Sequence, residues 1–303
     1  MGLAAQVEGW PDYVREIQIN STSDGTDQPS IMFVPDGDEP VPLLVALHTW
    51  SGTYKQTYST PYVKFAKEKG WAFIHPDYRG PNRTPESTGS ELVLRDVLDA
   101  VEFMKTNYAI DNRRIYLIGG SGGGYNALHV VSRAPEVWAG VSVWVPISDL
   151  EAWYYENMEA GRHYANDIVG GTGGIPGSSP EVNAEYKKRS PVYHLAGATG
   201  VSIHIAAGIR DGYTGSVPVS HSIRAFNALA HSRHHIHPSE INYFVKEAEV
   251  PPELVFKGRD LSFPSEKPVL FRRTSGNTIL TIFDGGHDTL YETGLTWLEK
   301  KRK

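Results

Sequence analysis

The sequence has 303 residues, of which 40% are hydrophobic and 21% are charged, and this is the composition of an ordinary globular protein. Its net charge of -6 argues against nucleic-acid binding, since phosphate contacts need clustered lysine and arginine. The absence of cysteine excludes disulfides, thiolate metal sites and a cysteine nucleophile.

The sequence predicts neither a membrane span nor a signal peptide. No apolar run approaches the ~20 residues that a transmembrane helix needs. The start, Met1–Gln6, lacks the basic and apolar regions of a secretory signal. A mature secreted or periplasmic form and a cytoplasmic protein are both compatible with this start.

The first half of the chain alternates apolar runs with helical patterns, as a parallel sheet covered by helices requires. Two short strands come first, and we expect them to enter the sheet antiparallel. Continuous apolar runs of strand length then follow, which is typical of strands buried on both faces. The predicted strands are Val14–Asn20, Ser30–Val34, Leu43–Leu47, Trp71–Ile74, Ile115–Ile118 and Val141–Val145.

Helical patterns fill the gaps between these strands. Thr60-Pro61 places a capping residue before a helix-initiating proline. A second helix is predicted from the capping-box spacing of Thr88–Glu91, and a third runs over about Tyr125–Arg133. We therefore expect helices on both faces of the sheet.

The alternation breaks twice in the second half of the chain. From about 149 to 190, aromatic residues mix with a glycine-rich stretch, and we interpret this segment as a cap over an active site. A second insertion covers about 231–271. We expect a single α/β domain over 1–303 with these two insertions. The remaining predicted elements are the strands Val201–Ala206 and Thr278–Phe283, the helix Val219–Ala230 and a terminal helix from about Thr289.

The strongest local signal is Gly119-Gly120-Ser121-Gly122-Gly123, which fits the pattern G-x-S-x-G. A nucleophilic serine in this motif sits on a sharp strand-to-helix turn, where side chains at the flanking glycine positions would clash. The bare pentapeptide also fits a flexible linker or an anion-binding loop. A predicted strand runs into it and a predicted helix leaves it, so we favour Ser121 as the nucleophile of an α/β-hydrolase fold.

A serine hydroxyl needs a base, and in this architecture the acid and then the histidine follow the nucleophile along the chain. His287 lies directly after the last predicted strand, and we expect it to be the general base. Asp211 follows the preceding strand, where a carboxylate would reach the imidazole Nδ1. Asp284 and Asp288 are too close to His287 in sequence to be the usual orienting residue. A role in a turn or a helix cap is the alternative for Asp211.

An oxyanion hole needs two backbone N–H groups aimed at the developing charge. Gly122, the residue after the nucleophile, is expected to supply one of them. The loop after the strand Leu43–Leu47 is expected to supply the other, from Trp50 or alternatively from Thr49. Loss of either donor should cost ~3 kcal/mol in the transition state. His48 is either a hydrogen-bond partner behind this loop or simply buried there.

Two further features stay outside the predicted triad. The tract His231–His237 resembles a metal-binding tract, but it lacks H-E-x-x-H spacing and a carboxylate partner. We interpret it as a solvated helix end and propose no metal.

Four aromatic residues of the cap either stack on a sugar or an aromatic acyl group, or pack the cap onto the body, and packing is favoured for most of them. They are Trp153, Tyr154, Tyr155 and Tyr164.

Together these motifs resemble the α/β-hydrolase superfamily and, within it, the catalytic domains of the prolyl-oligopeptidase group. The likeness covers roughly Leu43 to the C-terminus, and it implies a mostly parallel eight-stranded sheet and an Asp211–His287–Ser121 triad. The residues that carry it are Gly119–Gly123, Ser190-Pro191, Gly208–Asp211, Val217-Pro218, His221-Ser222 and Gly285-Gly286-His287.

Peptidases of that group carry a large N-terminal β-propeller, whereas about forty residues precede Leu43 here. Single-domain members without the propeller resemble carboxylic-ester hydrolases, often acting on acyl groups carried by carbohydrates. We therefore predict a serine esterase that works through an acyl-enzyme, possible substrates being small-molecule esters or acetyl and feruloyl groups on carbohydrates.

A serine peptidase acting on short peptides and a non-catalytic binding protein on the same fold are the alternatives. No cofactor is implied. A histidine base also predicts activity that rises with pH, since an ordinary imidazole loses its proton near pH ~6.5.

Overall fold

The computed structural model describes residues 7–303, and Met1–Gln6, where no signal peptide is predicted, lies outside the described residues. Nine strands in the described part of the chain form one sheet, in the order β1-β2-β4-β3-β5-β6-β7-β9-β8. They are β1 (Arg15–Asn20), β2 (Asp27–Phe33), β3 (Val41–Leu47), β4 (Ala72–Pro76), β5 (Ile110–Gly120), β6 (Gly140–Trp144), β7 (Ile203–Gly208), β8 (Val269–Ser275) and β9 (Thr278–Phe283).

The centre of the sheet is parallel and its edges are antiparallel. Strands β4, β3, β5, β6, β7 and β9 pair in parallel. The pairs β1–β2, β2–β4 and β8–β9 are antiparallel. Because the carboxyl ends of parallel strands lie at one edge, the loops after β3, β5, β6, β7 and β9 meet there. This confirms the predicted mostly parallel α/β sheet.

The predicted number of eight strands was wrong, because β8 was missed. The second predicted insertion, at about 231–271, contains the first three residues of β8, and no strand is predicted over the other four. Arg272 and Arg273 interrupt its apolar pattern, and its partner across the sheet is β9 alone. An edge strand with charged side chains carries little of the hydrophobic signal by which strands are predicted.

Nine α-helices in residues 7–303 connect the strands and cover the sheet, and the apolar side chains of both layers form its core. None of these helices is both long and apolar enough to cross a membrane. They are α1 (Thr60–Glu68), α2 (Glu91–Asn107), α3 (Gly122–Val131), α4 (Leu150–Glu159), α5 (Tyr164–Thr172), α6 (Pro180–Arg189), α7 (Ser220–Leu229), α8 (Pro238–Glu247) and α9 (Tyr291–Glu299).

The segment predicted as a cap is helical, although its sequence lacks periodicity. Asp149 caps α4 by accepting from two N–H groups of the first turn, and Ser179 caps α6 ahead of a proline. The glycine-rich stretch is partly the end of α5, where Gly170 lies against the loop before α2: a Cβ there would lie 2.5 Å from the Arg83 carbonyl oxygen. Close packing of α5, and not only turn formation, therefore explains these glycines.

Burial lowers the pKa of four buried histidines in the described residues, namely His48, His75, His129 and His204, and this ties the stability of the fold to pH. His75 in β4 and His204 in β7 are at most 3% exposed. Nε2 of His75 and Nδ1 of His204 have no hydrogen-bond partner within residues 7–303. Burial is the main cause that lowers the pKa of each of these two rings to about 3.

Acid is expected to destabilise the protein between pH 6.5 and 3. An unfolded histidine titrates near pH ~6.5, so in this window the unfolded chain binds more protons than the folded one. The free energy of unfolding then falls as pH falls, by up to about 1.4 kcal/mol per pH unit for each histidine. Urea unfolding at several pH values measures this, and His204→Phe should flatten the curve. The exposed His235→Asn is the control, and an unchanged slope in His204→Phe would contradict the explanation.

Candidate active site

Ser121 lies at the sharp turn between β5 and α3. Its backbone has φ 55° and ψ −122°, which is strained for a residue with a side chain. Its N–H donates to the carbonyl of Trp144 at 2.8 Å, so the end of β6 holds the turn. The strand-turn-helix context required of the G-x-S-x-G motif is therefore present.

The glycines on either side of Ser121 are required by space. A Cβ at Gly119 would lie 2.3 Å from the carbonyl oxygen of Gly123. A Cβ at Gly123 would lie 2.4 Å from the carbonyl oxygen of Leu47, at the end of β3. The turn therefore packs closely between β5 and the end of β3 with the loop that follows it.

Asp211 and His287 form a hydrogen-bonded pair at the carboxyl ends of β7 and β9. His287 Nδ1 lies 2.8 Å from Asp211 Oδ2. The other oxygen of this buried carboxylate accepts from the N–H groups of Gly212 at 2.9 Å and Val217 at 3.3 Å. A proton on Nδ1 leaves Nε2 unprotonated, which is the tautomer that a general base needs.

The two neighbouring aspartates have other partners. Asp284 forms an ion pair with Arg210 at the surface. Asp288 accepts from Lys267 Nζ at 2.6 Å and from the N–H of Gly286 at 2.9 Å. Burial acts to raise the pKa of Asp288, but the Lys267 ammonium and the backbone hydrogen bond outweigh it and lower that pKa. Asp288 therefore supports the loop that carries the histidine.

Ser121 and His287 line one cavity of about 380 Å³. Within residues 7–303 no hydrogen bond joins their side chains, and such catalytic bonds often tighten only when substrate binds. The cavity is lined by Thr49, Tyr58, Gly120, Ser121, Val145, Tyr164, Ser216, His287 and Thr289.

The backbones of Trp50 and Gly122 lie side by side, and their sequence neighbours Thr49 and Ser121 line this cavity. A Cβ at Gly122 would lie 2.2 Å from the Trp50 nitrogen. Neither the N–H of Trp50 nor that of Gly122, at the start of α3, has a protein partner in the described residues. The alternative donor, the Thr49 N–H, already donates to Gln56 Oε1 at 3.0 Å. Trp50 and Gly122 are therefore the better placed pair for an oxyanion.

His48 lies behind the peptide group that carries the Trp50 N–H; burial lowers the pKa of its ring, and a neutral ring donates from only one of its nitrogens. Its Nδ1 lies 2.9 Å from the carbonyl oxygen of Thr49, which shares a trans peptide with that N–H and points the opposite way. Its Nε2 lies 2.7 Å from the carbonyl oxygen of Asp77. The ring is fully buried and stacks on Tyr78 with centroids 4.0 Å apart. Of the two interpretations of His48, the partner behind the loop agrees with these contacts.

His48→Phe is expected to lower kcat by about 100-fold, because a donor displaced by an ångström loses much of its effect on the transition state. KM should change little. Steady-state kinetics with p-nitrophenyl acetate measures both. Tyr78→Phe is the control, since it removes only the hydroxyl that donates to the His48 carbonyl at 2.7 Å and keeps the ring stack. Wild-type kcat in His48→Phe would show that the ring only fills space.

The side chain of Trp50 joins the α4–α6 segment to the site. Its Nε1 donates to Asp167 Oδ2 on α5 at 3.2 Å, and its ring lies against Trp153 on α4 with centroids 4.7 Å apart.

Of the four aromatic residues singled out in the predicted cap, only Tyr164 lines the cavity. Trp153 and Tyr154 are buried in packing, and Tyr155 is exposed.

Four residues of the cavity lining were not predicted: Tyr58, Val145, Ser216 and Thr289. Val145 directly follows β6 and has φ 45°, an outlier for a β-branched residue. Its place at the carboxyl end of a central strand is a signal that could have identified it. Tyr58, Ser216 and Thr289 lie in loops or short turns without a comparable signal.

The histidine tract is not part of this site. His237 caps α8, accepting from the N–H of Ser239, and His231 caps a short 3₁₀ turn. Throughout residues 7–303, no three or more histidine, aspartate or glutamate side chains form a group that would hold a metal ion.

Residues 57–248 match the model of the prolyl oligopeptidase family. The chain belongs to this family. It is a serine hydrolase with the α/β-hydrolase fold, which confirms the resemblance drawn from the sequence motifs. The site described above lies at the edge of the sheet where this fold carries its nucleophile turn.

The proteins to which this chain is similar include a peptidase and an esterase. Acylamino-acid-releasing enzyme 1 of Oryza sativa subsp. japonica is 29% identical over 142 residues, which are 43% of this chain and 18% of that enzyme. A puromycin-hydrolyzing peptidase of Mycobacterium tuberculosis superposes with a TM-score of 0.62 and 19% identity, over 94% of this chain and 38% of the peptidase. A thermostable esterase superposes with a TM-score of 0.57 and 16% identity, over 96% of this chain and 64% of the esterase.

Proposed function

We propose that this serine hydrolase cleaves carboxylic esters through an acyl-enzyme on Ser121. The observation that carries the proposal is the Asp211–His287 pair, 2.8 Å apart, whose histidine lines one cavity with a strained Ser121. A nucleophile, a base and the residue that orients the base are thereby at one edge of the sheet. The adjoining free amides of Trp50 and Gly122 support an acyl-transfer reaction.

In the proposed mechanism His287 Nε2 takes the proton of Ser121 as Oγ attacks the ester carbonyl carbon. The Trp50 and Gly122 N–H groups donate to the resulting oxyanion, and Asp211 stabilises the imidazolium. Collapse breaks the ester C–O bond, and His287 gives the proton to the leaving alcohol. The same histidine then removes a proton from water, which attacks the acyl-enzyme and releases the acid and free Ser121.

The neutral lining of the cavity supports an ester over a peptide with free termini. Its nine lining residues in the described chain include no Asp, Glu, Lys or Arg. A charged terminus brought out of water needs a charged or strongly hydrogen-bonding partner. Tyr58, which is 54% exposed, and Tyr164 on α5 offer aromatic faces at the same cavity. These faces fit acyl groups on carbohydrates, with α4–α6 acting as a cap.

The alternative is a serine peptidase acting on short peptides, and membership of the prolyl oligopeptidase family supports it. A neutral cavity would suit a peptide whose N-terminus is blocked. The two proposals differ in the bond cleaved and not in the nucleophile, so the substrate pair that separates them must share its acyl group.

The test compares the p-nitrophenyl ester and the p-nitroanilide of N-acetylalanine, with Ser121→Ala as the background for each. We expect turnover of the ester by the wild type and none of the anilide above background. Acetylated xylooligosaccharides and methyl ferulate then test the acyl group. Turnover of the anilide by the wild type above the Ser121→Ala background would overturn the esterase proposal in favour of the peptidase.

A further inference from the structure

A second cavity adjoins the proposed catalytic cavity. It has a volume of about 440 Å³ and is lined by two separate stretches, 261–264 and 289–293. Thr289 lines both cavities. Its side chain also lies against the neighbour of the nucleophile, since a Cβ at Gly120 would lie 2.4 Å from Thr289 Oγ1. The two cavities therefore share a wall at Thr289, beside the residue that precedes Ser121.

The wall formed by 261–264 is fixed to the loop that carries His287. Thr293 Oγ1 donates to the carbonyl of Ser262. A few residues further on, Lys267 Nζ lies 2.6 Å from Asp288 Oδ2. These contacts hold the two walls of the cavity together before any ligand binds, as is usual for small-molecule sites.

The lining suits an uncharged apolar or aromatic group. Phe263 and Leu290 form part of the walls, and the side chains of Leu261 and Tyr291 are exposed to solvent, at 81% and 38%. Glu292 is the one lining residue in the described chain that carries a charge at neutral pH. The volume of about 440 Å³ is within the range of ligand pockets, roughly 300–1,000 Å³.

The position of this cavity identifies the part of the substrate that it would hold. In acyl transfer the leaving group takes its proton from the histidine, so the alcohol oxygen must lie within hydrogen-bond reach of His287. Thr289, two residues further along the chain, is where the second cavity begins. An alcohol part that extends from this oxygen past Thr289 would reach the second cavity.

We propose that the cavity between 261–264 and 289–293 is the binding site for the alcohol part of the substrate, an apolar or aromatic group. This inference rests on the proposed ester hydrolysis by Ser121. Leu261 and Tyr291 are then specificity-determining residues, which select the alcohol and leave the acyl group unaffected. Their exposure to solvent is explained by an apolar ligand that covers them.

The test keeps the acyl group constant and varies the alcohol. Methyl acetate and 2-phenylethyl acetate form the same acetyl-enzyme, so only acylation can depend on the alcohol. In the Leu261→Ala and Tyr291→Ala variants, kcat/KM for 2-phenylethyl acetate should fall about tenfold, the effect of losing part of an apolar pocket. The kcat/KM for methyl acetate and the rate of hydrolysis of the acetyl-enzyme should stay at wild-type values.

Ile175→Ala is the control, because Ile175 is also an exposed apolar residue, 54% exposed, and lines neither cavity. An equal fall for both acetates, or an effect that follows the acyl chain in a p-nitrophenyl acetate and butyrate pair, would overturn the assignment to the alcohol. If the proposed ester hydrolysis itself is wrong, the result is different: the wild type then turns over none of these esters. The assignment of the alcohol site is overturned in that case as well.

Discussion

Ser121→Ala is expected to lower kcat for p-nitrophenyl acetate by roughly 10⁶-fold, the scale found when the nucleophile of a serine protease is removed. The same variant should lose labelling by a fluorophosphonate probe. Both results follow if Ser121 Oγ forms the covalent intermediate. Turnover and gel-based labelling, measured on the same preparations, check them together.

Ser216→Ala is the matched control for this prediction, because Ser216 lines the same cavity. It should keep its labelling and most of its activity. A Ser121→Ala protein that still labels would mean that another residue is the nucleophile. A wild-type protein that labels without turnover would mean that Ser121 is activated but that the cavity needs another acyl group or an amide.

Asp211→Asn is expected to lower kcat by roughly 10⁴-fold, because an amide in place of this carboxylate no longer holds the histidine in the tautomer that accepts from serine. The shape of the side chain is kept, and the N–H groups of Gly212 and Val217 retain an oxygen acceptor. We therefore expect a folded protein with little activity. Steady-state kinetics and a thermal unfolding curve separate the two effects.

Asp284→Asn is the control for Asp211→Asn, since Asp284 is in a surface ion pair with Arg210 and makes no contact with the triad. An exposed pair of this kind contributes little to stability, about 0–1 kcal/mol. A loss of activity in Asp284→Asn as large as in Asp211→Asn would contradict the choice of orienting residue.

The candidate triad could be predicted because each member directly follows a predicted strand. Ser121 comes after β5, Asp211 after β7 and His287 after β9, and the carboxyl ends of parallel strands meet at one edge. Three residues far apart in sequence are brought together by strand order alone. Such a prediction needs no knowledge of side-chain packing.

The rest of the site depends on packing that no periodic pattern reveals. The Asp149–Ser190 segment forms three helices, but it contains glycines and mixed aromatics in place of a regular apolar stripe. The strand β8 was missed since Arg272 and Arg273 break its pattern at an edge. The second cavity needs two stretches of chain that lie about thirty residues apart, one of them partly in α9, and their pairing is fixed by single contacts such as Thr293 with Ser262.

The double contact of Trp50 with α4 and α5 has a consequence for heat inactivation. One residue supplies a backbone amide beside the nucleophile and an indole that is hydrogen-bonded to Asp167 and packed on Trp153. Local melting of the α4–α6 segment therefore removes the anchor of that amide while the sheet is still intact. Activity should then vanish at a lower temperature than the sheet unfolds, and return on cooling. Heat would therefore inactivate this serine hydrolase reversibly, at temperatures at which its sheet is still folded.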